Sequence, residues 1–228
     1  MVEAFVSLSS LGGECVEDME RLRQDKGLEA LLGYRPPAPE TARQWLDGFH
    51  DESLMVGRLL QGSFIPAESG PLVGLREVNK RVIWAYVRAT KPDWELTLDV
   101  DAHLVETDKA DAQYCYEGYK AFQPIEVGWA QNLLVLADEF RQGNVPASKD
   151  IKRLVDEAYE ALPPGPWKVK VRSDSAGYDV TFLDHWHKRK WGFAVSADMS
   201  KQLRAEIKKL SEGAWQIWKT EKGGVIRQ

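Results

Sequence analysis

The sequence predicts a mixed α/β protein, a sheet covered by helices and preceded by an all-helical region. Three observations carry that reading. Up to about residue 90 apolar residues recur at helical spacing, and just beyond it runs with a period of two begin. After residue 148 helix and strand patterns alternate along the chain.

In the helical region, "ECVEDMERLRQD" carries Val16, Met19, Leu22 and Arg23 at helical spacing, and "GLEALLGY" adds a short apolar turn closed by Gly33. The proline-rich "RPPAPE" breaks the pattern. Helix is expected to resume at "ETARQWLDGF" and "DESLMVGRLLQG". A longer one should cover roughly Pro71 to Ala89, with Leu75, Val78, Val82, Ile83 and Tyr86 as its apolar stripe.

The period changes at "KPDWELTLDVDAHLVETD". Leu96, Leu98 and Val100 alternate with Thr97, Asp99 and Asp101, so a strand here puts both aspartates on the face opposite the leucines. A second strand-like run spans about Ala112–Phe122, and "NLLVLADEFRQGN" gives a third with a turn at Gly143–Asn144. "SKDIKRLVDEAYEALPPGP" signals a helix: Ser148 can cap it, Ile151, Leu154, Val155, Ala158 and Leu162 form its buried stripe, and the prolines end it. Strand "WKVKVRSD", a helix near Val180–Lys188, strand "WGFAVSA" and helix "SKQLRAEIKKLS" follow. Nine tryptophans are many, but Trp84, Trp94, Trp129 and Trp167 fall at core-like positions.

Composition narrows the function classes. The chain has 228 residues, 43% of them hydrophobic, enough to bury a substantial core. No apolar run approaches the ~18 residues of a membrane span, and no signal-peptide layout opens the chain, so a soluble protein with no membrane partner is expected. Two distant cysteines, Cys15 and Cys115, suggest neither a disulfide framework nor a zinc ribbon and make a reducing cytoplasm the default location. A net charge of −5 argues against non-specific coating of nucleic acid but permits a local basic face. Gly-rich phosphate loops, a Ser-His-Asp order and Cys-rich clusters are absent from the sequence, which removes any motif for nucleotide hydrolysis or acyl transfer.

Two acidic residues stand at comparable places. Asp101 ends the first strand and Asp174 ends "KVKVRSD", and ends of strands in α/β sheets are where sites form. Converging carboxylates there, with a third from elsewhere, can hold divalent metals that activate water and stabilise a leaving oxygen of a phosphodiester. Spacing alone favours the plainer reading, a capping aspartate at 174 and solvated edge residues at 99 and 101, because strand-end aspartates are common. His185 and His187 lie two apart on the expected helix, point in different directions, and read as structural or surface residues. Lys188, Arg189 and Lys190 could meet a phosphate backbone near Asp174, or simply complement a helix C-terminus.

The runs "LDVDAHLVETDK", "YCYEGYKAFQP", "EFRQGNVPAS", "ALPPGPWKVKVRSDSAGYD" and "GFAVSADMS", in that order, resemble the catalytic core of the DDE transposases of bacterial insertion sequences. "SLSSLGGECVEDMERLRQDKGLEALLG" and "PPAPETARQWL" resemble the helical region that precedes that core. The resemblance implies a ribonuclease-H-like mixed sheet over residues 91–228, with residues 1–90 a helical region and candidate DNA-contacting domain. It implies metal-dependent DNA strand cleavage and strand transfer, with Mg2+ or Mn2+ as cofactor. Terminal inverted repeats and target DNA would be the partners, a homodimer on DNA is allowed, and the location would be the bacterial cytoplasm, at the nucleoid when bound.

Carried over, the first family aspartate falls on Asp101, with Asp99 as fallback, and the second on Asp174. Both would be catalytic metal ligands, with Lys188, Arg189 and Lys190 as candidate DNA contacts. "GNVPAS" matches the loop after the third strand. His103 stands where the family usually has threonine. The family's glutamate is expected beyond a segment like "GAWQIWKTEKGG", which leaves Glu212 and Glu221 as the nearest candidates and implies a truncated chain. The alternative function is a catalytically inactive remnant that binds DNA or an intact transposase.

Overall fold

The computed structural model describes residues 1–57, 62–215, 217–221 and 224–227, the last two stretches by backbone alone. The N-terminal part is helical: α1 (Val2–Ser10), α2 (Met19–Gln24), α3 (Lys26–Leu32) and α4 (Pro39–Asp47), then the long α5 (Gly70–Thr90). Ala4, Leu8, Met19, Leu22 and Ala42 are buried together and form a small core of their own. Gly33 closes α3 in the left-handed region, φ 74°, as the sequence suggests. Of the helix expected over "DESLMVGRLLQG", the described residues show a 3-10 turn at Glu52–Met55, and residues 58–61 lie outside them.

Next come β1 (Glu95–Ala102), β2 (Val105–Glu106), β3 (Gln113–Tyr114), β4 (Lys120–Phe122), β5 (Ile125–Trp129) and β6 (Leu134–Glu139). They are followed by α6 (Ile151–Glu160), β7 (Lys168–Ser173), α7 (Val180–Lys188), β8 (Gly192–Val195), α8 (Lys201–Lys209), β9 (Ile217–Glu221) and β10 (Gly224–Arg227). The main sheet has the order β6-β5-β1-β7-β8, antiparallel through β6, β5 and β1 and parallel from β1 to β7 and β8. This is a five-stranded mixed sheet flanked by helices, the α/β class that the sequence predicts. A smaller sheet, β2-β4-β3, stands beyond the end of β1, and β9 pairs with β10.

One face of the sheet makes the core. Leu96, Leu98 and Val100 of β1, Ile125, Val127 and Trp129 of β5, and Val169 and Val171 of β7 are buried against Ile83 and Val87 of α5, four residues of α6, and Trp186 of α7. The opposite face carries charge: Glu95 lies near Lys168 and Lys170, and Asp99 pairs with Arg172. The buried helices α5, α6 and α7 therefore stack on a single side, whereas the sequence reading has the sheet covered by helices without distinguishing its faces. None of the described helices is long and apolar enough to cross a membrane.

Several local readings need correction. The expected stripe on α5 is rotated: Leu75, Val78 and Val82 are exposed, while Ile83, Val87 and the half-buried Tyr86 face the sheet. Polar anchors fix that rotation, since Asn79 Nδ2 donates to the Val135 carbonyl at 3.1 Å and Trp84 Nε1 to the Ala161 carbonyl at 3.0 Å. Because α5 packs into the sheet's core, a boundary at residue 90 cuts through that packing. The run Ala112–Phe122 is a hairpin turning at Gly118, φ 89°, not one strand. β5 adds a strand that the sequence reading does not include, with Ile125, Val127 and Trp129 alternating with Glu126 and Gly128. Asp150, not Ser148, occupies the N-cap of α6, with φ 56° and no side-chain capping bond. Trp94 is 41% exposed, packed edge-on against Trp167.

Candidate metal centre at the carboxyl end of the sheet

The carboxyl ends of β1, β6, β7 and β8 share one lip of the sheet, because β5 runs against β1 and β6 while β7 and β8 run with β1. The segments after β1, β6 and β7 build the site there. In β1 the alternation buries Leu96, Leu98 and Val100 and turns Asp99 and Asp101 to the charged face. The parallel register pairs Asp99 with Arg172 and Val100 with Ser173. Asp101 is thus the next residue of β1, and Asp174 follows Ser173 just past the end of β7, on strands spaced about 4.8 Å apart.

The three aspartates differ in what holds them. Arg172 Nε donates to Asp99 Oδ1 at 2.8 Å, and Arg172 Nη2 bonds Asp99 Oδ2. Those hydrogen bonds hold the Asp99 carboxyl below the usual range; burial opposes them, and the guanidinium charge adds a smaller effect in their favour. The fallback ligand is therefore committed to a cross-strand pair. Asp101 is exposed and makes no side-chain hydrogen bond or ion pair among the described residues. Asp174 caps the 3-10 turn Ser175–Gly177, its Oδ1 accepting from the Ala176 N–H at 2.9 Å. Capping and metal binding do not compete here, since the capping bond uses one oxygen of two.

That turn is tight. A Cβ on Gly177 would lie 2.7 Å from Ser173 Oγ, so only glycine lets the chain fold back at this distance after Asp174. Opposite it runs the loop after β6, where a Cβ on Gly143 would lie 2.5 Å from the Ala121 carbonyl oxygen and 2.8 Å from that of Gln113. Gly143 N–H donates to Ala121 O at 2.9 Å, and Val145 is fully buried. "GNVPAS" thus joins the small sheet to the main one. Between these parts opens a cleft of about 750 Å³, lined among others by Tyr114, Tyr116, Gln123, Asn144, Asp174 and Tyr178. Asp101 lies outside that lining. The tyrosines were not singled out from sequence, though their density in "YCYEGY" was visible.

Other candidates fall elsewhere. Gly192, which opens β8, pairs with Lys170 near the start of β7, so Lys188, Arg189 and Lys190 precede β8 at the end of the sheet opposite Asp174. The expectation that they meet a phosphate near Asp174 is corrected by this topology. Arg189 is also engaged: Nη1 donates to Asp156 Oδ1 at 2.6 Å, and the guanidinium stacks 4.0 Å from the Trp191 ring centre. His185 bonds the same Asp156 through Nε2 at 3.0 Å, a structural role, and His187 is exposed. Glu212 opens a 3-10 turn, and the Glu221 side chain lies outside the described residues. Among the described residues no group of three or more His, Cys, Asp or Glu side chains could hold a metal ion. The Asp101 and Asp174 pair offers hard oxygen donors of the kind Mg2+ or Mn2+ takes, two from protein, with water and phosphate oxygens to complete the shell.

The family model of the transposase DDE domain, group 1, matches residues 1–227. The chain belongs to that DDE transposase family. Its members use divalent metals. Solved structures similar to this DDE chain include a Mos1 transposase paired-end complex with the left transposon end, 10% identical, covering 91% of this chain and 69% of that one with a TM-score of 0.33. A Mos1 mariner paired-end complex with Mn is 12% identical over 89% of this chain and 62% of that one, TM-score 0.33. A piggyBac transposase synaptic complex with hairpin DNA is 10% identical over 51% of this chain, TM-score 0.36, and the DDE chain spans 26% of its length. None of the curated proteins matches.

Proposed function

We propose that this DDE chain is the metal-binding core of a DNA transposase, with Asp101 and Asp174 as the ligands of Mg2+ or Mn2+. The observation that carries the reading is the parallel register of β1 and β7, which sends Asp101 and Asp174 out of neighbouring strands while Arg172 occupies Asp99. A bound divalent cation supplies Lewis-acid polarisation of a phosphodiester oxygen and a more acidic bound water. The protein's part is positional. The Gly177 turn holds Asp174 by its Oδ1, and the Arg172 pair keeps Asp99 out of competition for the cation. The proposed substrates are terminal inverted repeats of an insertion element and target DNA, bound as a homodimer in the bacterial cytoplasm. An inactive remnant that binds DNA or an intact transposase is favoured by one observation, the lack of a third ligand among the described residues.

The test is a thermal melt with and without Mg2+ or Mn2+, comparing the parent with Asp101→Asn, Asp174→Asn and Asp99→Asn, alongside nicking of supercoiled plasmid. A free cation concentration about ten times Kd adds about 1.4 kcal/mol, or roughly 3–6 °C at about 2–4 °C per kcal/mol for a chain of this size. That shift is expected in the parent and Asp99→Asn and lost in the other two. An equal shift in all four proteins would remove the site. Metal binding without Asp174-dependent nicking would select the remnant.

A further inference from the structure

We propose that the cleft beside Asp174 receives an unstacked nucleobase of a DNA end; the proposal rests on the DNA reading above and adds where an unpaired nucleotide binds. Three tyrosines line the cleft from two directions, Tyr114 and Tyr116 from the β3–β4 hairpin and Tyr178 from the segment after Asp174. They are 64%, 79% and 46% exposed. Rings left this open around one concavity, in a chain that buries Trp129 and Trp186 completely, are positioned for a ligand and not for packing. Every base has a π-face, and stacking on aromatic side chains is how proteins hold unpaired nucleotides with little sequence preference.

The polar lining suits a base edge. Gln123 is 4% exposed at the cleft, and Asn144, whose Nδ2 donates to the Gly62 carbonyl at 2.9 Å, keeps its Oδ1 buried with no partner. An unsatisfied buried acceptor is costly, and an exocyclic amine or ring N–H of a base would satisfy it. The volume of about 750 Å³ accommodates a nucleoside and lies within the range of small-ligand pockets. Charge decides the orientation. Asp179 lines the cleft and disfavours a phosphate inside it, whereas a neutral base can enter with its phosphate left at the rim, on the side of the cation proposed at Asp174. Tyr116 and Asp174 line the same cleft. A base stacked on Tyr116 would therefore sit close to the candidate metal ligand, with its phosphate beside it.

The experiment measures binding, in Mg2+, of a hairpin duplex with a short 3′ overhang carrying 2-aminopurine, against the same duplex with a blunt end. The whole chain is compared with Tyr116→Ala, Tyr178→Ala and the two Phe variants. The expected result is tighter binding of the overhang with a fluorescence change from stacking. Each Ala variant should lose about five-fold or more in affinity, from the roughly 1–3 kcal/mol of a stacked base. The Phe variants should retain it, and all variants should melt with the parent because the rings are exposed. Equal binding of both duplexes by parent and Ala variants would overturn the base pocket and leave the DNA reading standing. No binding of either duplex would overturn both. Tyrosine-dependent capture of an arginine-rich peptide, with no fluorescence response to the overhang, would overturn it in favour of a protein partner.

Discussion

Asp99 and Asp101 share a strand, a face and a charge, yet the structure gives them different work. The Arg172 pair crosses from β7 to β1 beneath the lip and is solvent-exposed, so screening limits it to about 1 kcal/mol or less. Folding depresses the Asp99 pKa. Its contribution is therefore fully present above the unfolded carboxylate value of about 4 and is lost as pH falls through the lower folded value. Asp99→Asn should cost at most about 1 kcal/mol at neutral pH, with the difference from the parent vanishing in acid, as urea melts at several pH values would show. Gly143 acts through backbone contact. Gly143→Ala should cost about 2 kcal/mol or more, in the range of overpacking, because two carbonyl oxygens would have to move. A change within about 0.5 kcal/mol in urea unfolding, as at an ordinary surface position, would contradict that contact.

At the scale of elements, α5 shows how a helix pattern can be read correctly and oriented wrongly. Its sequence offers apolar residues on more than one side, and periodicity alone cannot choose among them. The bonds from Asn79 and Trp84 choose, turning Ile83 and Val87 into the sheet and leaving Val82 58% exposed. Ile83→Ala should accordingly destabilise by about 2–4 kcal/mol, and Val82→Ala by no more than about 0.5 kcal/mol, in denaturant titrations. The reverse order would mean that the stripe through Val78 and Val82 is the packed one. The strand β5 makes the same point from the other side, since its alternation is clear once its pairing with β1 is known.

In the whole molecule two hydrophobic clusters stand apart, one around Met19 and Leu22, the other on the sheet. Met19→Ala should loosen the first by about 2–5 kcal/mol. Amide exchange is then expected to accelerate in α1, α2 and α4 and to stay unchanged in β1, β5 and β7. Faster exchange spreading into β1 would show one cooperative unit. The candidate metal centre belongs to the second cluster's lip, so the same variant should leave the metal-induced thermal shift of the sheet intact.

The sequence by itself determined the helical start, the switch to a period of two at β1, the α6, β7, α7, β8, α8 succession, and Asp101 and Asp174 as strand-end carboxylates. These are local properties, set by spacing along a few residues. Through family resemblance it also pointed to the DDE transposases, because the order of several motifs is itself a linear property. Only the tertiary structure decided which aspartate is free: Arg172 lies 73 positions beyond Asp99 in the chain and meets it through strand register alone. It likewise moved Lys188, Arg189 and Lys190 to the far end of the sheet, since a crossover helix returns the chain to where β7 began. The tyrosine-lined cleft is a product of three loops meeting at one lip, and no stretch of sequence contains it.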